Sequence, residues 1–438
     1  MNLTALFQTE STPPSRLRVK VLIPPYPRPE AMWRLGFLFH EMAFGLLSVF
    51  IPLYVAAFKD TSMLGGPLVA LGVMTALAIF CTIPASFIWG YVCDATRHYK
   101  IFILLSFLSS AVILFLLTLP FAQNILVFVA LYVVMQVLHV AHEAPKNVLI
   151  AEHYSREEWE WSYAFYEGLT EIGFLVGLAI GLFAFLSTAG FGVVATYTLY
   201  LCSGLSFVAF VLSIFLVADP LMIFERRLVG IEKRIDFTFR GVESSSLMMD
   251  GLRWNGELKQ DSFREFALAI VLFSLATSLF FTPLPLFLHE QLHLETSMVY
   301  VAYFLNSTGA MVGYFFIGRR ARSMDVRKHM PRFVLLRSLL VFLIVAVVQL
   351  AFSPTLLVGA LLVFLGFAYA LYYILMLSLS MELIPAGKSG VFDVLVGLGA
   401  AAGSFLGPFL AETIGYLPAF LIASAAFFAA FATLKFFS

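Results

Sequence analysis

The chain has 438 residues, 61% of them hydrophobic and only 12% charged, and its mean hydropathy is +0.92. Soluble domains carry about 25% charged residues, so the composition excludes a water-soluble globular protein and places most of the chain in lipid. The formal net charge is zero; the total points to no charged partner, and no nucleic acid is expected.

Residues 1–33 hold six prolines (Pro13, Pro14, Pro24, Pro25, Pro27 and Pro29) and no apolar core of signal-peptide length. They read as a cytoplasmic tail rather than a cleaved signal. Beyond them lie twelve apolar runs, at 34–58, 66–92, 101–120, 122–148, 161–187, 192–217, 264–288, 297–318, 332–352, 355–382, 389–411 and 414–437. About 20 apolar residues cross a bilayer as a helix, and backbone groups in lipid must be satisfied within the segment. An outer-membrane barrel is excluded, because its strands would be about ten residues long and alternating. The expected fold is an all-α integral membrane protein with twelve transmembrane helices.

Run 1 carries His40 and Glu41, then Pro52. Run 2 ends in the polar turn Gly90-Tyr91-Val92-Cys93-Asp94-Ala95-Thr96-Arg97-His98-Tyr99-Lys100. Runs 3 and 6 contain no Asp, Glu, Lys, Arg or His. Run 4 ends in His139, His142, Glu143, Pro145 and Lys146, and run 5 carries Glu167 and Glu171 with Gly173, Gly177 and Gly181. Residues 218–262 form the longest polar stretch, with Leu221, Phe224, Leu228, Ile231 and Ile235 at helical spacing among seven Lys and Arg. That stretch is either a basic amphipathic helix on the membrane surface or a solvated linker. It divides the chain into a tail (1–33), a six-helix half (34–217), a central cytoplasmic loop (218–262) and a second six-helix half (263–438).

Of the 27 Lys and Arg, 26 fall in the N-terminal tail, the even-numbered connections with their adjoining helix ends, or the C-terminus; Lys59 alone falls on the other side. Lys and Arg mark the cytoplasmic face, so both termini are expected in the cytoplasm, in agreement with an even number of spans. A shift of 230 residues superposes Glu152 on Glu382, Gly173 on Gly403, Gly177 on Gly407, Ser48 and Phe50 on Ser278 and Phe280, and Arg97 on Arg327, with Asp94 one residue from Asp325. Such an offset suggests two six-helix pseudo-repeats, with the solute site between them near the midplane.

The spacing Gly90-xxx-Asp94-xx-Arg97-xx-Lys100 resembles the loop between helices 2 and 3 of the major facilitator superfamily of transporters. The resemblance covers all twelve spans in topology and implies a secondary transporter working by alternating access. It implies that Gly90, Asp94, Arg97 and Lys100, with the worn second copy at Asp325 and Arg327, form a conformational-switch motif. Gly90 would let two backbones approach, and Asp94 would accept at a helix N-terminus. In that fold runs 1, 4, 7 and 10 line the cavity, runs 2, 5, 8 and 11 flank it, and runs 3, 6, 9 and 12 face lipid. Two departures weigh against drug export by antiport: Val133 to Gln136 holds no Arg, and Gly177 is followed by Leu178 rather than Pro.

Ionisable groups inside a bilayer cost a few kcal/mol each and mark function. Here they are Glu41, His139, His142, Glu143, Glu167 and Glu171, all in runs 1, 4 and 5, with Arg337 placed near the cytoplasmic end of run 9. A carboxylate in a dry cavity can take up a proton near neutral pH, so these six are proton-coupling candidates, with Glu171 and Glu143 as carriers. A structural ion pair, such as Glu143 with Lys146, is the competing reading of each. Tyr303, Asn306, Tyr369, Tyr372 and Tyr373 are candidates for the substrate cavity or for core packing. Lys146 is the one fixed cation expected there, which weighs against phosphorylated solutes.

The three cysteines fit no metal spacing, and no metal or cofactor is expected. The expected function is transport of a small neutral or cationic organic solute, the expected partners being that solute, protons and the lipid bilayer, by a monomer in a prokaryotic plasma membrane. A passive facilitator of the same fold is the first alternative. A membrane enzyme or receptor is the second: His289, Glu290, His293 and Glu295 after run 7 do not form the His-Glu-x-x-His zinc pattern, and no enzymatic activity is expected.

Overall fold

In the computed structural model twelve helices are long and apolar enough to cross a membrane. The structure describes residues 32–153, 159–186, 190–219, 260–320, 324–350, 354–383 and 390–437; the expected amphipathic segment at 221–235 lies outside these, as do Glu152 and Glu382 as side chains. No strand occurs among the described residues. The helices are α1 (Arg34–Ala56), α2 (Pro67–Thr96), α3 (Tyr99–Leu116), α4 (Ile125–His139), α5 (Trp159–Phe185) and α6 (Phe191–Leu216). They continue as α7 (Gln260–Phe281), α8 (Thr296–Arg320), α9 (Val326–Leu350), α10 (Pro354–Leu383), α11 (Gly390–Ile414) and α12 (Tyr416–Phe437).

Local chemistry fixes several ends. The Asn124 side chain accepts from the Leu126 and Val127 backbone amides and starts α4, the usual work of an N-cap. Asp325 does the same for α9, where its Oδ1 lies 3.4 Å from the Lys328 amide nitrogen; that cap explains why α9 begins before the apolar run does. Arg97, with φ of +57°, closes α2 in a left-handed turn, and its N–H bonds the Cys93 carbonyl at 2.8 Å. Run 4 is not one helix: a 3₁₀ turn at Val140–His142 interrupts it, and a short helix continues from Glu143 to His153. Pro283 and Pro285 end α7 in a similar way, before a π-turn at Phe287–Gln291.

The packing repeats. In the first six helices α1 packs on α5 and α6, α3 on α6, and α4 on α2 and α3; in the last six α7 packs on α11 and α12, α9 on α12, and α10 on α8 and α9. Two seams join these sets, α5 against α8 and α2 against α11. Without a hydrophobic force between helices in lipid, close backbone approach at small residues drives such pairing. A methyl group on Gly173 or Gly177 would overlap the carbonyl of Leu38 or Met42, and one on Gly403 or Gly407 the carbonyl of Leu275 or Leu279. The glycine pairs keep the 230-residue offset, whereas Leu38 to Leu275 and Met42 to Leu279 are both 237 residues apart. In α1 and α7, therefore, the alignment of Ser48 and Phe50 with Ser278 and Phe280 is not the packing equivalence; two helical turns separate the registers.

Candidate functional site

A cavity of about 510 Å³ lies among α1, α2, α4, α5, α7, α8 and α11. Its wall carries one carboxylate, Glu41, one amide, Gln136, and a belt of hydroxyls that includes Ser48, Ser278, Thr282 and Tyr303. Among the described residues no Lys or Arg lines it, and none of α3, α6, α9, α10 or α12 contributes to the wall. The absence of α10 is a difference from the expected lining. Glu41, Glu143, Glu167 and Lys146 lie within electrostatic range of one another.

Glu171 stands at the middle of α5, and Phe174, three residues on, reaches the cavity wall. Its carboxylate accepts a hydrogen bond from the buried Ser307 hydroxyl of α8. The bond crosses the α5–α8 seam. Beside it, Tyr300 of α8 ties to α1, its hydroxyl donating to the Leu46 carbonyl at 2.9 Å. Tyr303 lies on the cavity wall with its hydroxyl 3.3 Å from the Phe281 carbonyl. Asn306 instead donates to the Leu362 carbonyl at 2.9 Å and binds α8 to α10.

One turn beyond Met135 and Gln136 the polar groups of α1 and α4 meet. His40 Nε2 is 3.0 Å from His139 Nδ1. His142 Nδ1 is 2.6 Å from the His139 carbonyl oxygen and 3.0 Å from the Ser106 hydroxyl. His142 Nε2 is 3.3 Å from the Glu143 carboxylate, which also forms an ion pair with Lys146. The 3₁₀ turn explains the grouping: at three residues per turn, positions three apart eclipse one another, so His139 and His142 face the same way. Glu143, read as a carrier, is thus held by a fixed cation. His40 was visible in run 1 as an intramembrane histidine but stood outside the candidate set; its partner is 99 residues away, a pairing no spacing rule reaches.

Arg337 is the twelfth residue of α9, at the helix middle and not near its end, and it is fully buried. It faces inward, with its guanidinium carbon 5.0–5.7 Å from the ring centres of Phe273, Phe281, Tyr369 and Phe427. Three of its nitrogens are buried without a hydrogen-bond partner. Tyr372 stacks on Phe273 at 3.6 Å, and Tyr369 stacks on Tyr373 at 5.8 Å. Tyr369 of α10 therefore faces a cation of the protein itself, and Tyr372 and Tyr373 pack on the rings beside it.

The turn between α2 and α3 is tied to the segment just past α6. The Lys100 amide donates to Asp219 at 2.9 Å, and His98 lies 3.6 Å from the same carboxylate. Arg97 donates to the Tyr99 hydroxyl at 3.4 Å. Gly90 does not mediate a close approach: a methyl group there would meet nothing within 4 Å. The Asp94 side chain lies outside the described residues, Asp325 acts as the α9 cap, and Arg327 is exposed. After α7, Glu290 accepts from Tyr416 at 2.6 Å and His289 bonds the Leu294 carbonyl, so both hold local structure.

The model of the family described as Major Facilitator Superfamily matches residues 34–393. The crystal structure of the human organic anion transporter MFSD10 (TETRAN) superposes with a TM-score of 0.63 at 16% identity, covering 94% of this chain and all of that one. At that identity the likeness speaks for the fold alone. A search of curated protein sequences finds no match.

Proposed function

The chain belongs to the major facilitator superfamily, and from that premise we propose that it is a proton-coupled secondary transporter of a small neutral or cationic organic solute. Membership makes it a membrane transporter of a small molecule and not an enzyme. The coupling rests on one observation: the Glu171 carboxylate, at mid-helix beside the cavity, is bonded across the α5–α8 seam to Ser307. A group that is bonded while ionised and released on protonation ties proton uptake to the relative position of α5 and α8. The two halves, 34–217 and 263–438, then alternate access to the cavity between them.

The solute class rests on the wall. Glu41 is its one charged group, its other polar groups are the Gln136 amide and hydroxyls, and the remainder is apolar, so a carboxylate or phosphate would find no guanidinium or ammonium clamp there. An amine or a polyol would find acceptors and donors. The Lys and Arg distribution supports cytoplasmic termini. Thermal stabilisation of the purified protein by a panel of amines, polyols and carboxylates, read at one acidic and one alkaline pH, tests this reading. Stabilisation by an amine or polyol is expected; stabilisation by carboxylates alone would contradict it.

A further inference from the structure

The geometry points to a site for one divalent transition-metal ion, of the borderline type exemplified by Zn²⁺, held by His40, His139 and His142 behind the cavity wall formed by Glu41, Met135 and Gln136. One ring nitrogen from each lies within 4.8 Å of the others, the only such group of three or more His, Cys, Asp or Glu among the described residues. The ring centres are 5.0, 4.7 and 5.9 Å apart. Zinc–nitrogen bonds of about 2.0–2.1 Å in a tetrahedral site place ligand atoms about 3.3 Å from one another. The present separations of up to 4.8 Å would shorten by about 1.5 Å on binding.

Three further features fit such an ion. His142 has an orienting partner for its Nδ1 in the His139 carbonyl and the Ser106 hydroxyl, the kind of outer contact that fixes a ligating imidazole. His40 is fully buried and its Nδ1 has no hydrogen-bond partner, so the present arrangement leaves a polar atom unsatisfied within the group. Glu143 stands 3.3 Å from His142 Nε2 and adds negative charge beside the site. His139 is only partly buried, and Met135 and Gln136, about a turn away, line the cavity. The donor set selects the class. Three neutral imidazoles suit Zn²⁺, Ni²⁺ or Cu²⁺, whereas Mg²⁺ and Ca²⁺ require oxygen. Cysteine spacing could not show this site, because it joins α1 to the break in α4.

The inference does not rest on proton coupling and is read without transport. Full-length protein without a polyhistidine tag is stripped with chelator and titrated with Zn²⁺ in detergent. The expected result is one equivalent bound per chain, a raised melting temperature, three imidazole nitrogens by X-ray absorption, and no response to Mg²⁺. His40→Gln and His139→Gln should each weaken binding about 10-fold or more, while His289→Gln and Glu171→Gln bind as the wild type does. No saturable equivalent in the wild type would overturn the site, as would an oxygen-only coordination shell or binding unchanged in both histidine variants. Should a variant fail to fold, the wild-type absorption spectrum decides alone.

Discussion

The Ser307 hydroxyl of α8 donates to the Glu171 carboxylate of α5, so a titratable group of the first half is bonded to a hydroxyl of the second. A hydrogen bond to a charged group contributes about 1.5–3 kcal/mol, and one pH unit corresponds to about 1.36 kcal/mol. Ser307→Ala is expected to move the pH midpoint of transport by about one to two units and leave solute preference unchanged. Ser307→Thr, which keeps the hydroxyl, should hold the wild-type profile. A profile identical in wild type and Ser307→Ala would show that the bond plays no part in coupling.

The glycines of the α2–α3 turn and of the α1–α5 contact predict opposite outcomes. Gly90 lies inside α2 with open space where a methyl would go, and Ala exceeds Gly in helix propensity by about 1 kcal/mol. Gly90→Ala should fold as well as the wild type or better. Gly177→Ala drives a methyl into the Met42 carbonyl, and overpacking costs about 1–3 kcal/mol. Melting temperatures of the two variants in one detergent check the contrast.

Arg337 carries a positive charge in a cage of aromatic rings and has no acceptor for three of its nitrogens. Cation–π attraction returns about 2 kcal/mol in a desolvated site, against a burial penalty of several kcal/mol per ion. Arg337→Met should therefore be as stable as the wild type or more so, whereas Arg337→Ala leaves a void and loses stability. If Arg337→Met unfolded at a clearly lower temperature, the cage would outweigh the burial penalty.

Glu143 and Lys146 form an ion pair with the lysine buried and the carboxylate side chain 43% exposed. Losing one partner of a buried pair costs about 3–5 kcal/mol, and solvent at Glu143 reduces that to about 1–3 kcal/mol. Lys146→Met should destabilise, and the double variant with Glu143→Gln should recover most of the loss. A double variant no better than the single one would remove Glu143 from its structural place and return it to the set of proton carriers.

These residues also mark how far the sequence carries. Twelve spans and the glycine repeat were readable, because hydropathy and small-residue spacing are local properties of a helix; the ends were less so, since α9 starts at Val326, six residues before its apolar run. The inward turn of Arg337 was not, since a helix apolar on every face gives no phase from which to tell its buried side. The break at Val140–His142 lies where Pro145 acts: proline cannot donate to the carbonyl four residues back, Ala141, and its ring crowds it, so the proline was the signal and only the grouping it produces was not legible. His40 with His139, and Glu171 with Ser307, are pairs made by helix packing alone. Gly90 matched the family spacing but lacks the close contact that the spacing implies.

The central claim is that Glu171 couples protons to the movement of the halves. It is tested most directly by Glu171→Gln in proteoliposomes, using as labelled probe whichever amine or polyol most stabilises the purified protein. Two rates are compared: accumulation driven by a pH gradient, and exchange of labelled for unlabelled solute with no gradient. The account predicts that the variant loses accumulation and keeps exchange. Accumulation at the wild-type level in Glu171→Gln would contradict it.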